Sequence, residues 1–168
     1  MERIDGTDMV ARMTKRPWTV RRQGSVLADL HQRLHEISAP SWLPPAPVGK
    51  GDRLLHFDLH PLNVILSRTG PIVIDWTGAS RGDPAVDVAL AWLLMMAGSV
   101  STSRLVGVVL DRARRALVNS FLRPFEIDVL QRTLHDVVAW KVLDPHMSTS
   151  EQARMWQVVR NTMAENSD

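Results

Sequence analysis

Apolar residues along this chain recur at two different spacings, and the change between them divides the sequence. Early on, a helix is expected from Thr7 or Asp8 as N-cap, interrupted by Pro17. A second helix is expected to start at Gly24-Ser25, with Leu27, Leu30, Leu34 and Ile37 on one face. Pro40, Pro44, Pro45 and Pro47 then punctuate a loop over 38–52 that can be neither helix nor central strand. Short apolar triplets follow. Arg53-Leu54-Leu55 reads as a strand, and Val64-Ile65-Leu66 and Ile72-Val73-Ile74 read as a hairpin closed by a turn over Ser67 to Pro71. From residue 83 the pattern is helical again. Asp83 suits an N-cap and Pro84 the first helical position. Helices are expected over about 86–97, 103–121, 127–142 and 150–163. The fold class is therefore α+β, mostly helical, a single domain over 1–168 with one small hairpin.

Composition narrows the function classes. Nearly half of the residues are apolar, enough for a core, and cysteine is absent, which excludes disulfides and thiolate zinc sites and fits a reducing cytosol. A cytoplasmic location is the expectation. The run from Val86 to Ala97 falls well short of the ~20 residues that span a bilayer. Neither membrane nor nucleic acid is expected as a partner: the basic clusters, such as Arg21-Arg22, accompany no nucleic-acid motif. They read as solvated helix faces or, more sharply, as a site for anionic ligands. His31 and His35 stand four apart on the second helix. That spacing can chelate a metal, but no third ligand is evident nearby, so packing or surface roles are favoured. Trp76, Trp92, Trp140 and Trp156 read as core residues.

The hairpin brings polar groups together. If Leu66 pairs with Ile72, Val64 pairs with Ile74 and Asn63 lies opposite Asp75. Opposed residues of an antiparallel pair have Cα atoms ~4.5–5.5 Å apart. A carboxamide and a carboxylate so placed can share a hard cation such as Mg²⁺. Asp58, in the loop that enters the hairpin, reaches the same end. The bland alternative is that Asp58 and Asp75 cap turns through local hydrogen bonds.

The loop His56-Phe57-Asp58-Leu59-His60-Pro61-Leu62-Asn63, the closing Ile74-Asp75-Trp76, and the helix start Gly82-Asp83-Pro84-Ala85-Val86-Asp87 follow one another in order. Together they resemble the aminoglycoside phosphotransferase and choline kinase group, whose loop typically reads His-Gly-Asp-x-His-x-x-Asn, followed by Ile-Asp-Trp or Ile-Asp-Phe and Gly-Asp-Pro-x-x-Asp. Phe57 stands where the family has glycine. Leu30-His31 through Leu34-His35 resembles the family's Leu-His-x-x-x-His helix, and residues 1–6 resemble the segment joining its two lobes.

The resemblance implies the C-terminal lobe of a protein kinase-like fold, with the catalytic loop and hairpin at 53–76 and a helical remainder from 83 to 168. It implies ATP-dependent phosphoryl transfer to a hydroxyl of a small molecule, with ATP as substrate and Mg²⁺ as cofactor. By the same resemblance Asp58 is the base, and Asn63 and Asp75 hold the metal. His60 either contacts a phosphate oxygen or hydrogen-bonds within the loop, His56 is structural, and Asp87 braces the loop or favours its helix N-terminus. Met1, Glu2 and Arg3 fall at the adenine-facing hinge. The phosphate-covering loop and lysine of such kinases would precede Met1. A lobe without them would expose an apolar face open to self-association or a partner protein. The stretch between His35 and His56 is short for the family, which implies a reduced substrate-binding region. Two other readings remain at this level: a catalytically silent kinase-derived binding or regulatory module, and a metal-dependent hydrolase using His56, Asp58 and His60.

Overall fold

The computed structural model describes residues 4–98, 104–145 and 147–164, so the hinge-like Met1, Glu2 and Arg3 lie outside the described residues. The order of elements is β1 (Gly6–Asp8), α1 (Met9–Lys15), α2 (Val20–His35), β2 (Arg53–Leu55), β3 (Val64–Ser67), β4 (Pro71–Val73), β5 (Ser80–Gly82), α3 (Pro84–Ala97), α4 (Arg104–Leu122), α5 (Ile127–Lys141) and α6 (Thr149–Ala164). The architecture is α+β and mostly helical. One sheet runs β1-β3-β4 and a second pairs β2 with β5, all antiparallel.

Helix α3 is the hub. Its sequence is apolar on nearly every side, and Val86, Val88, Ala89, Leu90, Ala91 and Leu93 are buried. A helix apolar all round must be surrounded, and α4, α5 and α6 pack against it. Its start follows the expectation: Asp83 accepts the Ala85 N–H at 2.9 Å and Pro84 takes the first position, where a missing N–H costs nothing. Helix α2 runs straight through Gly24 and does not begin there. A Cβ on Gly24 would meet the Leu117 carbonyl oxygen and Ser120 Cβ of α4. The glycine is therefore a point of close approach between two helices, and not a start signal. Ile37 lies past the helix end and is exposed.

Two strands escape the periodicity, β1 and β5, each three residues long with no apolar alternation. The hairpin register also differs from the expected one. Val64 pairs with Val73, Ile65 with Ile72 and Leu66 with Pro71. The turn is tighter than the sequence implies. Ser67 N–H bonds the Gly70 carbonyl at 3.0 Å, its hydroxyl bonds the same oxygen at 2.7 Å, and Gly70 takes φ 130°. Pro71 is thereby freed to open β4, a strand position that tolerates proline. The consequence for the site is that Asn63 lies opposite Ile74, whose N–H bonds the Asn63 carbonyl at 3.0 Å, and Asp75 falls one residue beyond the pair.

Candidate active site

The loop from His56 to Asn63 links β2 to β3, and its backbone is clamped from both sides. Phe57 sits at φ 67°, in the left-handed region where glycine is strain-free and a bulky residue is not. This accounts for the glycine of the pattern that Phe57 departs from. Two contacts offset the strain. The Phe57 N–H donates to Asp87 Oδ1 at 2.8 Å, and its ring meets Trp140 of α5 edge to face, with centroids 5.3 Å apart.

Asp87 gathers several donors. Besides Phe57, its Oδ2 accepts the His56 N–H at 3.2 Å and His35 Nε2 at 3.0 Å. It is buried in the first turn of α3. Burial alone would push its carboxyl up. The His35 hydrogen bond, the neighbouring imidazoles of His31 and His35 and the Phe57 N–H outweigh that and hold it below the usual carboxylate range. The loop is also held from beneath by His31 Nε2, which donates to the Leu59 carbonyl at 3.1 Å.

Asp58 and Asn63 face each other across the loop. Asn63 Nδ2 donates to the Asp58 carbonyl at 2.8 Å and to Asp58 Oδ2 at 2.9 Å. Both amide hydrogens are thus used, and the carboxamide oxygen is left to accept another partner. His60 Nδ1 accepts the Leu62 N–H at 3.3 Å, which puts the ring proton on Nε2, 3.4 Å from Asp58 Oδ1. Partial burial raises the Asp58 pKa, but His60 and Asn63 lower it more, and the net shift is downward. Asp58 is ionised at neutral pH and partly open to solvent.

Asp75 follows β4 by two residues and, like Phe57, has a left-handed backbone, at φ 61°. It is exposed. One carboxylate oxygen accepts the Thr77 hydroxyl at 2.8 Å. A single 3-10 turn over Trp76–Gly78 then leads into β5, which pairs with β2, so the entry to the Asp58 loop and the exit from Asp75 are joined in one ladder. A sequence model of the phosphotransferase enzyme family matches residues 11–125 of the 168. The chain belongs to the phosphotransferase enzyme family. This segment contains the Asp58 loop, the hairpin, Asp75 and Asp87. No curated protein matches the sequence. Membership implies phosphotransferase activity in general and does not favour a silent binding module.

Two sequence expectations about this family member fail. His56, Asp58 and His60 do not converge as a three-ligand group among the described residues, so the hydrolase arrangement is not built. The reason is local: alternate residues share a face only on a strand, and here φ is positive at Phe57 and a 3-10 turn spans Pro61–Asn63. His56 instead is buried, bonds the Ile74 carbonyl through Nε2 at 3.0 Å, and packs 4.8 Å from the Trp76 ring. Trp76 is the second correction. It is exposed, and its indole N–H bonds back to the Val73 carbonyl at 3.2 Å. Sequence reasoning also missed that His31 and His35 meet Asp87, since the third member lies in another helix. Among the described residues no helix is long and apolar enough to cross a membrane.

Proposed function

We propose that the protein transfers the terminal phosphoryl group of Mg²⁺-ATP to a hydroxyl of a small molecule, on the helical lobe of a kinase-like fold. Asp58 orients the hydroxyl and accepts its proton. Asn63 and Asp75 are the magnesium ligands. The observation that carries this reading is the use of Asn63: both amide hydrogens go to Asp58, leaving an oxygen donor free beside an ionised carboxylate. Asp75 adds a carboxylate at the same end of the hairpin. An all-oxygen donor set of one carboxamide and one carboxylate fits magnesium, which prefers hard ligands.

Phosphoryl transfer needs little covalent chemistry from a protein and much positioning. Asn63, by a hydrogen bond, and His60, by a 3.4 Å contact from its ring Nε2, flank the Asp58 carboxylate from two directions, so its remaining lone pairs have a set orientation. Asp87 and His31 fix the loop backbone on either side of Asp58, through Phe57 and Leu59. Magnesium, when bound, supplies positive charge to the phosphate oxygens. His60, already bonded within the loop, acts by holding Asp58. ATP is the donor, a small hydroxyl compound the acceptor, and the cytoplasm the compartment.

Titration with Mn²⁺ in the presence of ATP, read by electron paramagnetic resonance, tests the ligand assignment. Asp75→Ala and Asn63→Ala are each expected to weaken ATP-dependent Mn²⁺ binding at least ~10-fold. Binding equal to that of the unaltered protein in both variants would overturn it.

A further inference from the structure

Beneath the catalytic loop lies a second group of ligating atoms, on residues of which two, His31 and Asp87, also anchor the loop backbone. His31 and His35 of α2 and Asp87 of α3 each offer one ligand atom, and these atoms lie within 4.8 Å of one another. None belongs to the Asn63 and Asp75 pair.

The protonation of His31 can be read from its surroundings. Its Nε2 lies 3.1 Å from the Leu59 carbonyl oxygen, which can only accept, so the ring proton sits on Nε2. Nδ1 is then a bare lone pair. It is buried, has no hydrogen-bond partner, and stands 3.8 Å from Asp87 Oδ2. The same carboxylate oxygen lies 3.0 Å from His35 Nε2. A buried lone pair turned towards a carboxylate is costly, and a cation between them removes the cost.

We propose that His31 Nδ1, His35 Nε2 and Asp87 Oδ2 form a binding site for one divalent transition-metal ion of the zinc class. Two imidazoles and a carboxylate are the ligand types zinc and cobalt take and magnesium avoids. An ion ~2.0–2.1 Å from each atom needs ligands ~3.3 Å apart. The 3.0 Å and 3.8 Å separations bracket that value. The surrounding bonds also fit: metal-bound histidine commonly donates its other ring N–H to a backbone carbonyl, as His31 does to Leu59, and the second Asp87 oxygen is held by the Phe57 N–H. On binding, His35 moves its proton from Nε2 to Nδ1 and exchanges its hydrogen bond to Asp87 for the ion. His35 is the least buried of the three, with 7% of its side chain exposed, and gives the route in. The bound ion ties α2 and α3 to the loop that carries Asp58.

Tag-free, chelator-treated full-length protein titrated with Co²⁺ tests the site. One equivalent is expected to raise the visible absorption bands of a low-symmetry nitrogen and oxygen site, and Zn²⁺ to abolish them. His35→Gln, verified as folded by circular dichroism, should weaken Co²⁺ binding at least ~10-fold, while His60→Ala leaves it unchanged. In the unaltered protein, long-range ¹H–¹⁵N spectra should show Zn²⁺ moving His31 Nδ1 and His35 Nε2. The site is overturned if no stoichiometric binding occurs, if those two nitrogens stay put, or if His35→Gln binds Co²⁺ as tightly as the unaltered protein.

Discussion

The carboxylate of Asp87 accepts the backbone N–H of Phe57 at 2.8 Å, across thirty residues of sequence. The helix that forms the hub of the core thereby holds the residue next to Asp58. Asp87→Ala leaves the Phe57 and His56 N–H groups and the His35 ring without their acceptor. Each buried donor left unpaired costs ~1–3 kcal/mol. Urea unfolding is expected to show a loss of at least ~2 kcal/mol. A loss near zero would mean that the loop stands without this anchor.

Phe57 makes a separable prediction because its backbone and its ring pull in opposite directions. At φ 67° a non-glycine residue bears strain of ~1–2 kcal/mol, and the ring contact with Trp140 is worth ~0.5–1.5 kcal/mol beyond its burial. Phe57→Ala keeps the strain and loses the ring. Phe57→Gly loses both. Thermal or urea unfolding should therefore rank Phe57→Ala as less stable than Phe57→Gly, by about 1 kcal/mol, against the usual order for alanine and glycine.

Gly24 is expected to resist substitution even though it sits inside a helix, where alanine is ordinarily favoured by ~1 kcal/mol. A Cβ there runs into the Leu117 carbonyl of α4. Gly24→Ala should destabilise by ~1–3 kcal/mol as α2 and α4 are pushed apart. Unchanged or higher stability would show that the two helices can separate freely.

These residues also mark what the sequence could convey. Element types were legible where periodicity or caps spoke: α3 opens at Asp83-Pro84 as expected, the Asp58 loop and β3 lie where the pattern put them, and β4 falls one residue earlier than the triplet Ile72-Val73-Ile74. What failed depended on tertiary contact. Gly24 looks like a helix start because its packing against α4 is invisible in one dimension. Strand β5, Ser80-Arg81-Gly82, carries no apolar signal and exists because β2 needs a partner. The one-residue register shift followed from the Ser67 hydroxyl closing the turn on Gly70. His31 and His35 lacked a visible third partner because Asp87 is 52 residues from His35.

His31 sets a pH dependence. Its folded pKa of about 4 lies below the ordinary 6.5. Between those values the unfolded chain binds more protons than the folded one, so stability rises with pH. The contribution is complete above 6.5 and is lost as pH falls towards 4. Its size is about 3 kcal/mol. Asp87, with its pKa depressed, adds a further loss at lower pH, as the solution passes through its folded value. Urea midpoints of chelator-treated protein between pH 7 and 4.5 should fall steeply, and His31→Gln should flatten that slope. A slope unaltered by the substitution would contradict a buried neutral imidazole.

The most direct test of the account is the rate of ADP formation from Mg²⁺-ATP with a panel of hydroxyl-bearing small molecules, comparing unaltered protein with Asp58→Asn. Asparagine keeps the size of the side chain and removes its capacity to take a proton. Acceptor-dependent turnover in the unaltered protein and a loss of ~10²–10⁴-fold in the variant, with the fold retained, is the predicted result. Equal turnover in the two proteins would contradict the assignment of Asp58 as the base.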